Sequence, residues 1–305
     1  MRAFVTRLAL TAGAFLTIVT LVFLLLRVAP GGPFDGERRL PPEIEANLRA
    51  AYHLDEPLPL QFARYLGALS VGDLGPSFRQ KDFSVNELIA AGLPVSLTVG
   101  AAALIIALGL GIPLGVVAGL RPGGGLDRLV MAITSLGIAL PSVVIAPVAV
   151  LIVAVLLGWL PAGGIGSPAH YVLPALALAA PYVTAVARLL RSSVADTVVL
   201  PHVRTAMAKG LPRRRIVARH ILPMALMPVV SFLGPAAAGL LTGSVVVEQV
   251  FDLPGIGRYF VQAALNRDYT LVMGVAVVYA GFLLTFNLLV DLGYRWLDPR
   301  VRATP

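Results

Sequence analysis

The sequence predicts an all-α membrane protein: six transmembrane helices, both termini cytoplasmic, and a small helical extracytoplasmic subdomain between helices 1 and 2. Three observations carry that expectation. Only 13% of the 305 residues are charged and mean hydropathy is +0.85, whereas a soluble domain carries about 25% charged residues. Apolar runs long enough to cross a hydrocarbon core of about 30 Å recur along the chain. With both termini inside, 15 of the 24 Lys and Arg but only four of the 16 Asp and Glu fall on the inner side. Excess Lys and Arg mark cytoplasmic loops, and here the short loops and the tail carry the inference.

Arg2 and Arg7 precede the first apolar run, 8–26. A cleavable secretory signal has an apolar part of only about 7–15 residues, so residues 1–28 are expected to be a retained first helix. Pro30, Gly31, Gly32 and Pro33 stop it. Residues 29–93 form the expected extracytoplasmic subdomain, with one amphipathic helix at 43–52 after Pro41-Pro42 and another at 60–69. Ile44, Leu48, Phe62, Tyr65, Leu66 and Leu69 fall at helical spacing within them. A five-helix core, 94–290, follows with spans at 94–120, 129–157, 171–187, 223–247 and 270–290. A basic segment, 188–222, joins the fourth and fifth spans, an outer loop, 248–269, joins the last two, and 291–305 is a cytoplasmic tail.

Gly111, Gly115 and Gly119 lie four apart on the second span, and Gly239 with Gly243 repeat the spacing on the fifth. Such rows allow close helix packing in lipid. Pro113, Pro141, Pro147, Pro174, Pro181, Pro228 and Pro235 fall within spans and are expected to kink them. Spans two to six contain no Asp, Glu, Lys, Arg or His within these boundaries. Proton-driven carriers place ionisable groups in the bundle, so the pattern disfavours a self-sufficient secondary carrier or channel. No GxxxxGK[ST] loop or HExxH occurs, cysteine is absent, and His53, His170, His202 and His220 are scattered. Neither an enzyme nor a metal site is expected. The net charge of +8 follows from membrane topology, and nucleic acid is not an expected partner. If the chain moves a solute uphill, the energy must come from a partner.

The segment 204–223 reads RTAMAKGLPRRRIVARHILP. Gly210 suits the left-handed end of one short helix, and Pro212 suits the first turn of the next. On charge alone the segment reads as an ordinary positive-inside loop. The spacing of Ala206, Gly210, Leu222 and Pro223, however, resembles the signature loop of ABC-importer permease subunits. The resemblance extends over nearly the whole chain to the B-type permease subunits of oligopeptide and dipeptide importers. It is carried by RVAPGGPF at 27–34, LPPEIEANLRAAYHLDEPL at 40–58, GDLGPSF at 72–78, RTAMAKGLPRRRIVARH at 204–220, VVVEQVFDLPGIGRYFVQAALNRDY at 245–269 and DPRVR at 298–302. Where the general loop begins Glu-Ala-Ala, this chain has Arg204, Thr205 and Ala206. An acidic contact to the ATPase is therefore not carried over.

The resemblance implies an inner-membrane complex with a second homologous permease subunit, two cytoplasmic ATPase subunits that bind ATP and Mg, and an extracytoplasmic substrate-binding protein. No cofactor is implied in this chain itself. Arg204, Thr205, Ala206, Ala208, Lys209, Gly210, Leu211, Arg213, Arg214 and Arg215 would form the ATPase-coupling plug. Small residues at Ala206, Ala208 and Gly210 would permit close approach, and the cations would steer docking. Glu248, Asp252, Leu253, Pro254, Gly255, Ile256 and Gly257 would meet the binding protein or released peptide through a tight, exposed turn. A turn that merely re-enters the membrane is the alternative. The expected cargo is a di- or oligopeptide; importers of nickel chelates and glutathione share the same architecture.

Overall fold

The structure, a computed structural model, describes residues 2–28, 49, 53–80 and 82–297. The helix expected at 43–52, most of the motif stretches at 27–34 and 40–58, and the tail from 298 lie outside those residues. In chain order the helices are α1 (Arg2–Val28), α2 (Leu58–Ser70), α3 (Val85–Gly119), α4 (Gly125–Ala139), α5 (Ser142–Ala149), α6 (Ala169–Val198) and α7 (Pro201–Ala208). They continue with α8 (Arg213–Ile216), α9 (Leu222–Ala225), α10 (Met227–Leu241), α11 (Val245–Val250), α12 (Ile256–Leu265) and α13 (Tyr269–Leu297). Wide π-type turns extend α5 over Val150–Leu156 and join α8 to α9 over Val217–Ile221. Pro223 accounts for the second: it offers no N–H to the Arg219 carbonyl and its ring crowds that carbonyl, so the turn widens.

Among the described residues, five stretches are long and apolar enough to cross a membrane: Thr6–Val28, Val85–Gly119, Ala169–Val198, Met227–Val250 and Tyr269–Val290. A sixth, Gly125–Gly137 with Ser142–Leu156, is bent by 94°. The sequence led us to expect one span at 129–157, kinked at Pro141 and Pro147, and the structure bends it more sharply than a kink. Proline disfavours helical geometry in the residue before it, and Leu140 accordingly sits extended at φ −97°, ψ 116°, with Pro141 following at ψ 147°.

The chain forms two compact units. The first comprises Met1–Val95 and Pro254–Gly281. In it, Phe62, Tyr65, Leu66 and Leu69 of α2 pack with Val19 and Phe23 of α1 and with Met273 and Val277 of α13. The connection to α3 turns at Gly72 (φ +78°) and Gly75 (φ +86°). Asn86 pins that turn, accepting from the Leu74 N–H at 2.8 Å and donating to the Gly72 carbonyl at 2.6 Å. Asp268, 1% exposed, caps α13 by accepting from the Leu271 N–H at 3.1 Å and also accepts from the Phe78 N–H and the Ser77 hydroxyl. The GDLGPSF and NRDY stretches are thus two halves of one hydrogen-bonded knot. Helix α3 starts at Val85, nine residues before the proline expected to open it. The signal lies in Ser84-Val85-Asn86-Glu87: the Glu87 N–H donates to Ser84 Oγ at 3.2 Å, and the Ser84 N–H donates to Glu87 Oε2 at 2.8 Å, a capping box.

The second unit comprises Ser96–Leu253 and Phe282–Pro305, and α6 is its spine. Val186, Leu190 and Val194 pack with Val203 and Ala206 of α7, Ile216 of α8, Ile221, Ala225 of α9 and Val229 of α10. The row Gly111, Gly115, Gly119 faces α6 so closely that a Cβ would come within 2.8 Å of Val186, 2.7 Å of the Ala187 carbonyl and 2.6 Å of the Arg191 carbonyl, respectively. Gly239 faces the Tyr182 hydroxyl, 3.0 Å from where a Cβ would sit. Gly243 does not extend that row. It lies beyond the end of α10 at φ +84°, in space bordered by the Glu248 carboxylate. The closest α3–α10 approach falls instead at Gly100, where a Cβ would overlap the Leu240 carbonyl.

Candidate functional site

The basic segment folds as two short helices around a left-handed glycine. Gly210 has φ +71°, its N–H donates to the Met207 carbonyl at 2.9 Å, and the Leu211 N–H donates to the Ala206 carbonyl at 3.3 Å. This pair of bonds is a Schellman motif, which satisfies carbonyls that the end of α7 would otherwise leave open. Leu211 then packs back onto the cluster holding Val203 and Ala206, the apolar contact that accompanies the motif. Pro212, at φ −64° and ψ 140°, leads into α8. His202 Nε2 lies 3.1 Å from the His220 carbonyl oxygen and ties the start of α7 to the far end of the segment.

The result is a rigid projection whose apolar side is buried and whose basic side is bare. Arg204, Thr205, Ala208, Lys209, Gly210, Arg213, Arg214 and Arg215 are exposed. Among the described residues, Arg204, Lys209 and Arg213 to Arg215 have no acidic partner in any ion pair. Ala206 departs from the expected plug surface. It is 4% exposed because it faces α6 with Val203, three residues earlier on the same helical stripe. Met207, one residue on, points outward at 49% exposure. Sequence reasoning missed it, although the i, i+3 burial of Val203 and Ala206 was the available signal. A hollow of about 370 Å³ adjoins the projection, with Met207 and Arg213 among its lining and Leu120, Val198, Ile216 and Ile221 giving it an apolar wall.

The base of the projection is held by charge. Arg191 on α6 donates to Asp127 on α4 through Nε at 2.7 Å and Nη2 at 2.6 Å, and Asp127 also accepts from the Gly123 N–H at 2.7 Å. Asp127 is 3% exposed. Thr184 Oγ1 donates to the Thr134 carbonyl at 2.8 Å, about two helical turns further along the same pair of helices. A bidentate carboxylate–guanidinium pair is directional as well as strong, so α4 and α6 are locked in register beside the segment.

The second set of sequence candidates has a different environment. Glu248 is 1% exposed and accepts from the Ser96 hydroxyl at 2.7 Å. It lies within the stretch Met227–Val250, so the apolar bundle does contain a carboxylate. The left-handed turn at Gly243 restarts the chain as α11 and rotates Glu248 inward. The turn that follows is tight, with the Leu253 N–H donating to the Glu248 carbonyl at 2.8 Å. Its left-handed residue is Asp252 (φ +50°), not either glycine. Leu253, Gly255, Ile256 and Gly257 are buried and Pro254 is half-buried, which leaves Asp252 as the exposed member. Among the described residues no group of three His, Asp or Glu is arranged to hold a metal.

Comparison with known proteins adds a family. Residues 111–303 match the family described as binding-protein-dependent transport system inner membrane component. The chain is 46% identical over 287 residues to the oligopeptide transport system permease protein OppB of Escherichia coli (strain K12), covering 93% of this chain and 94% of that relative. It is 42% identical over 301 residues to the dipeptide transport system permease protein DppB of Bacillus subtilis (strain 168), covering 99% and 98%. Among solved structures, the inward facing MetNI methionine ABC transporter aligns with a TM-score of 0.59 at 19% identity, covering 69% of this chain and 96% of that one. An amino acid ABC transporter aligns at 0.53 and 20%, covering 69% and 94%. At these identities the structural matches speak for the fold, whereas the family match and the two permeases place the whole chain. It belongs to the family of inner membrane components of binding-protein-dependent transport systems.

Proposed function

We propose that this chain is the permease subunit of a peptide importer that draws its energy from ATPases docked on the α7–Gly210–α8 projection. One observation carries the coupling half of the reading. Five cations and Met207 stand exposed on a capped, rigid turn that is packed directly onto α6. A docked partner with acidic or carbonyl groups would meet Arg204, Lys209 and Arg213 to Arg215, and an apolar side chain would enter the hollow beside Met207. Movement of that partner would be transmitted to α6 and α10 through Val203, Ala206, Ile216 and Ile221, because packed cores shift as units rather than deform. The cargo half rests on the two relatives, which are named for oligopeptide and dipeptide transport. The pathway would be completed by a second permease subunit, and an extracytoplasmic binding protein would deliver the peptide near Asp252.

The test is reconstitution in liposomes with labelled di-, tri- and pentapeptides. Uptake is expected only when the second permease, the ATPases, the binding protein and ATP are all present. Accumulation driven by this chain alone would contradict the reading.

A further inference from the structure

The first unit contains a cavity of about 310 Å³ that peptide transport leaves without a role. Phe23, Leu26 and Met273 line one part of it, and Arg27, Gln61 and Tyr65 line another. Among the described residues, three buried atoms of that polar group have no hydrogen-bond partner: Arg27 Nε, Tyr65 Oη and Gln61 Oε1. Buried polar atoms are almost always partnered, so three together outline a missing ligand. The rest of each group is already fixed. Gln61 Nε2 donates to the Leu54 and Glu56 carbonyls at 3.0 and 2.8 Å, which leaves its oxygen as a free acceptor. Arg27 stacks over the Phe23 ring at 5.0 Å. Arg64, another lining residue, is neutralised by a two-point bond to Glu56 at 2.8 and 2.9 Å. The lining carboxylate, Asp73, accepts from the Gly75 N–H at 2.8 Å.

These atoms specify a ligand with an anionic acceptor for Arg27 and Tyr65, a donor for Gln61, and hydrocarbon for Phe23, Leu26 and Met273. Burial pushes the Tyr65 phenol up to about 12, so it remains a donor at physiological pH. Arg27 lies at the end of the span Thr6–Val28, the level at which lipid headgroups meet acyl chains. Leu21, Leu24, Leu25 and Val28 on the same helical end are exposed apolar surface of the kind that faces lipid. We propose that the cavity holds one glycerophospholipid. Its phosphate is bound by Arg27 and Tyr65, a headgroup hydroxyl or ammonium donates to Gln61, and the upper acyl chain lies on Phe23, Leu26 and Met273.

Native mass spectrometry of the purified permease complex in detergent tests this, with phosphatidylglycerol, phosphatidylcholine or glycerol 3-phosphate added. Phosphatidylcholine carries the phosphate but no headgroup donor. At least tenfold greater retention of phosphatidylglycerol than of phosphatidylcholine is expected, with a fivefold or larger loss for Arg27→Ala and Gln61→Leu. Tyr65→Phe, which deletes one oxygen and keeps the ring, is expected to weaken retention while leaving the melting temperature within a few degrees. Arg128→Ala, an exposed residue that does not line the cavity, is expected to change nothing. Equal retention by wild type and Arg27→Ala, equal retention of the two lipids, or binding of glycerol 3-phosphate as tight as that of the lipid would overturn the proposal. Displacement of the lipid by trialanine would assign the cavity to cargo and overturn it as well.

Discussion

Gly243 and Glu248 fix one another. The glycine occupies a left-handed conformation that costs an L-residue about 1–2 kcal/mol, and the Glu248 carboxylate fills the space a side chain would need. Gly243→Ala is therefore expected to lower stability by about 2 kcal/mol or more, read as a drop in melting temperature of the detergent-solubilised complex. Ser96→Ala tests the same corner, because it removes the hydroxyl that Glu248 accepts from. Beside the basic segment, Asp127→Asn breaks a bidentate bond and is expected to lower the melting temperature of the complex. Arg191→Lys is expected not to substitute for the planar fork, since an ammonium cannot make the paired bond. Comparable melting of wild type and Asp127→Asn would show that the pair contributes nothing to the register of α4 and α6. None of these partnerships was legible from the sequence. Glu248 and Ser96 are 152 positions apart and Asp127 and Arg191 are 64 apart, and no local spacing records such contacts.

Among the helices, legibility followed period and punctuation. The glycine row on α3 was readable because its spacing of four repeats one helical face, and the structure sets α6 against that face. Gly115→Leu is expected to force α3 from α6 and lower the melting temperature by more than 10 °C, while Gly109→Leu, with nothing within 4 Å of its Cβ position, is expected to be near neutral. Similar losses for the two variants would remove the packing explanation. The start of α3 was missed because Asn86 and Glu87 interrupt the apolar pattern ahead of 88–93, whereas the helix is initiated by the capping box at Ser84 and Glu87. The break at Leu140–Pro141 was under-read for the opposite reason. Uniform hydropathy across 129–157 conceals a backbone effect that proline imposes on the residue before it. The turn at Gly210 was readable in full, because a glycine followed two residues later by proline states both its handedness and the restart of the helix.

For the molecule as a whole, the alternation of apolar spans was written in composition, and the family match and helical architecture agree with it. The orientation of single side chains was not: Ala206, expected on the plug surface, is buried, and Met207 beside it is exposed. In the proposed mechanism, force enters through the α7–Gly210–α8 projection and is passed to α6 by packing. Gly210→Asp tests it with little disturbance of the fold, since aspartate tolerates the left-handed region better than most residues and nothing lies within 4 Å of the Cβ position. The decisive measurement is peptide-stimulated ATP hydrolysis by the reconstituted complex carrying that substitution. Loss of stimulation is expected with the complex still assembled in the membrane; stimulation at the wild-type level would rule out coupling through the projection.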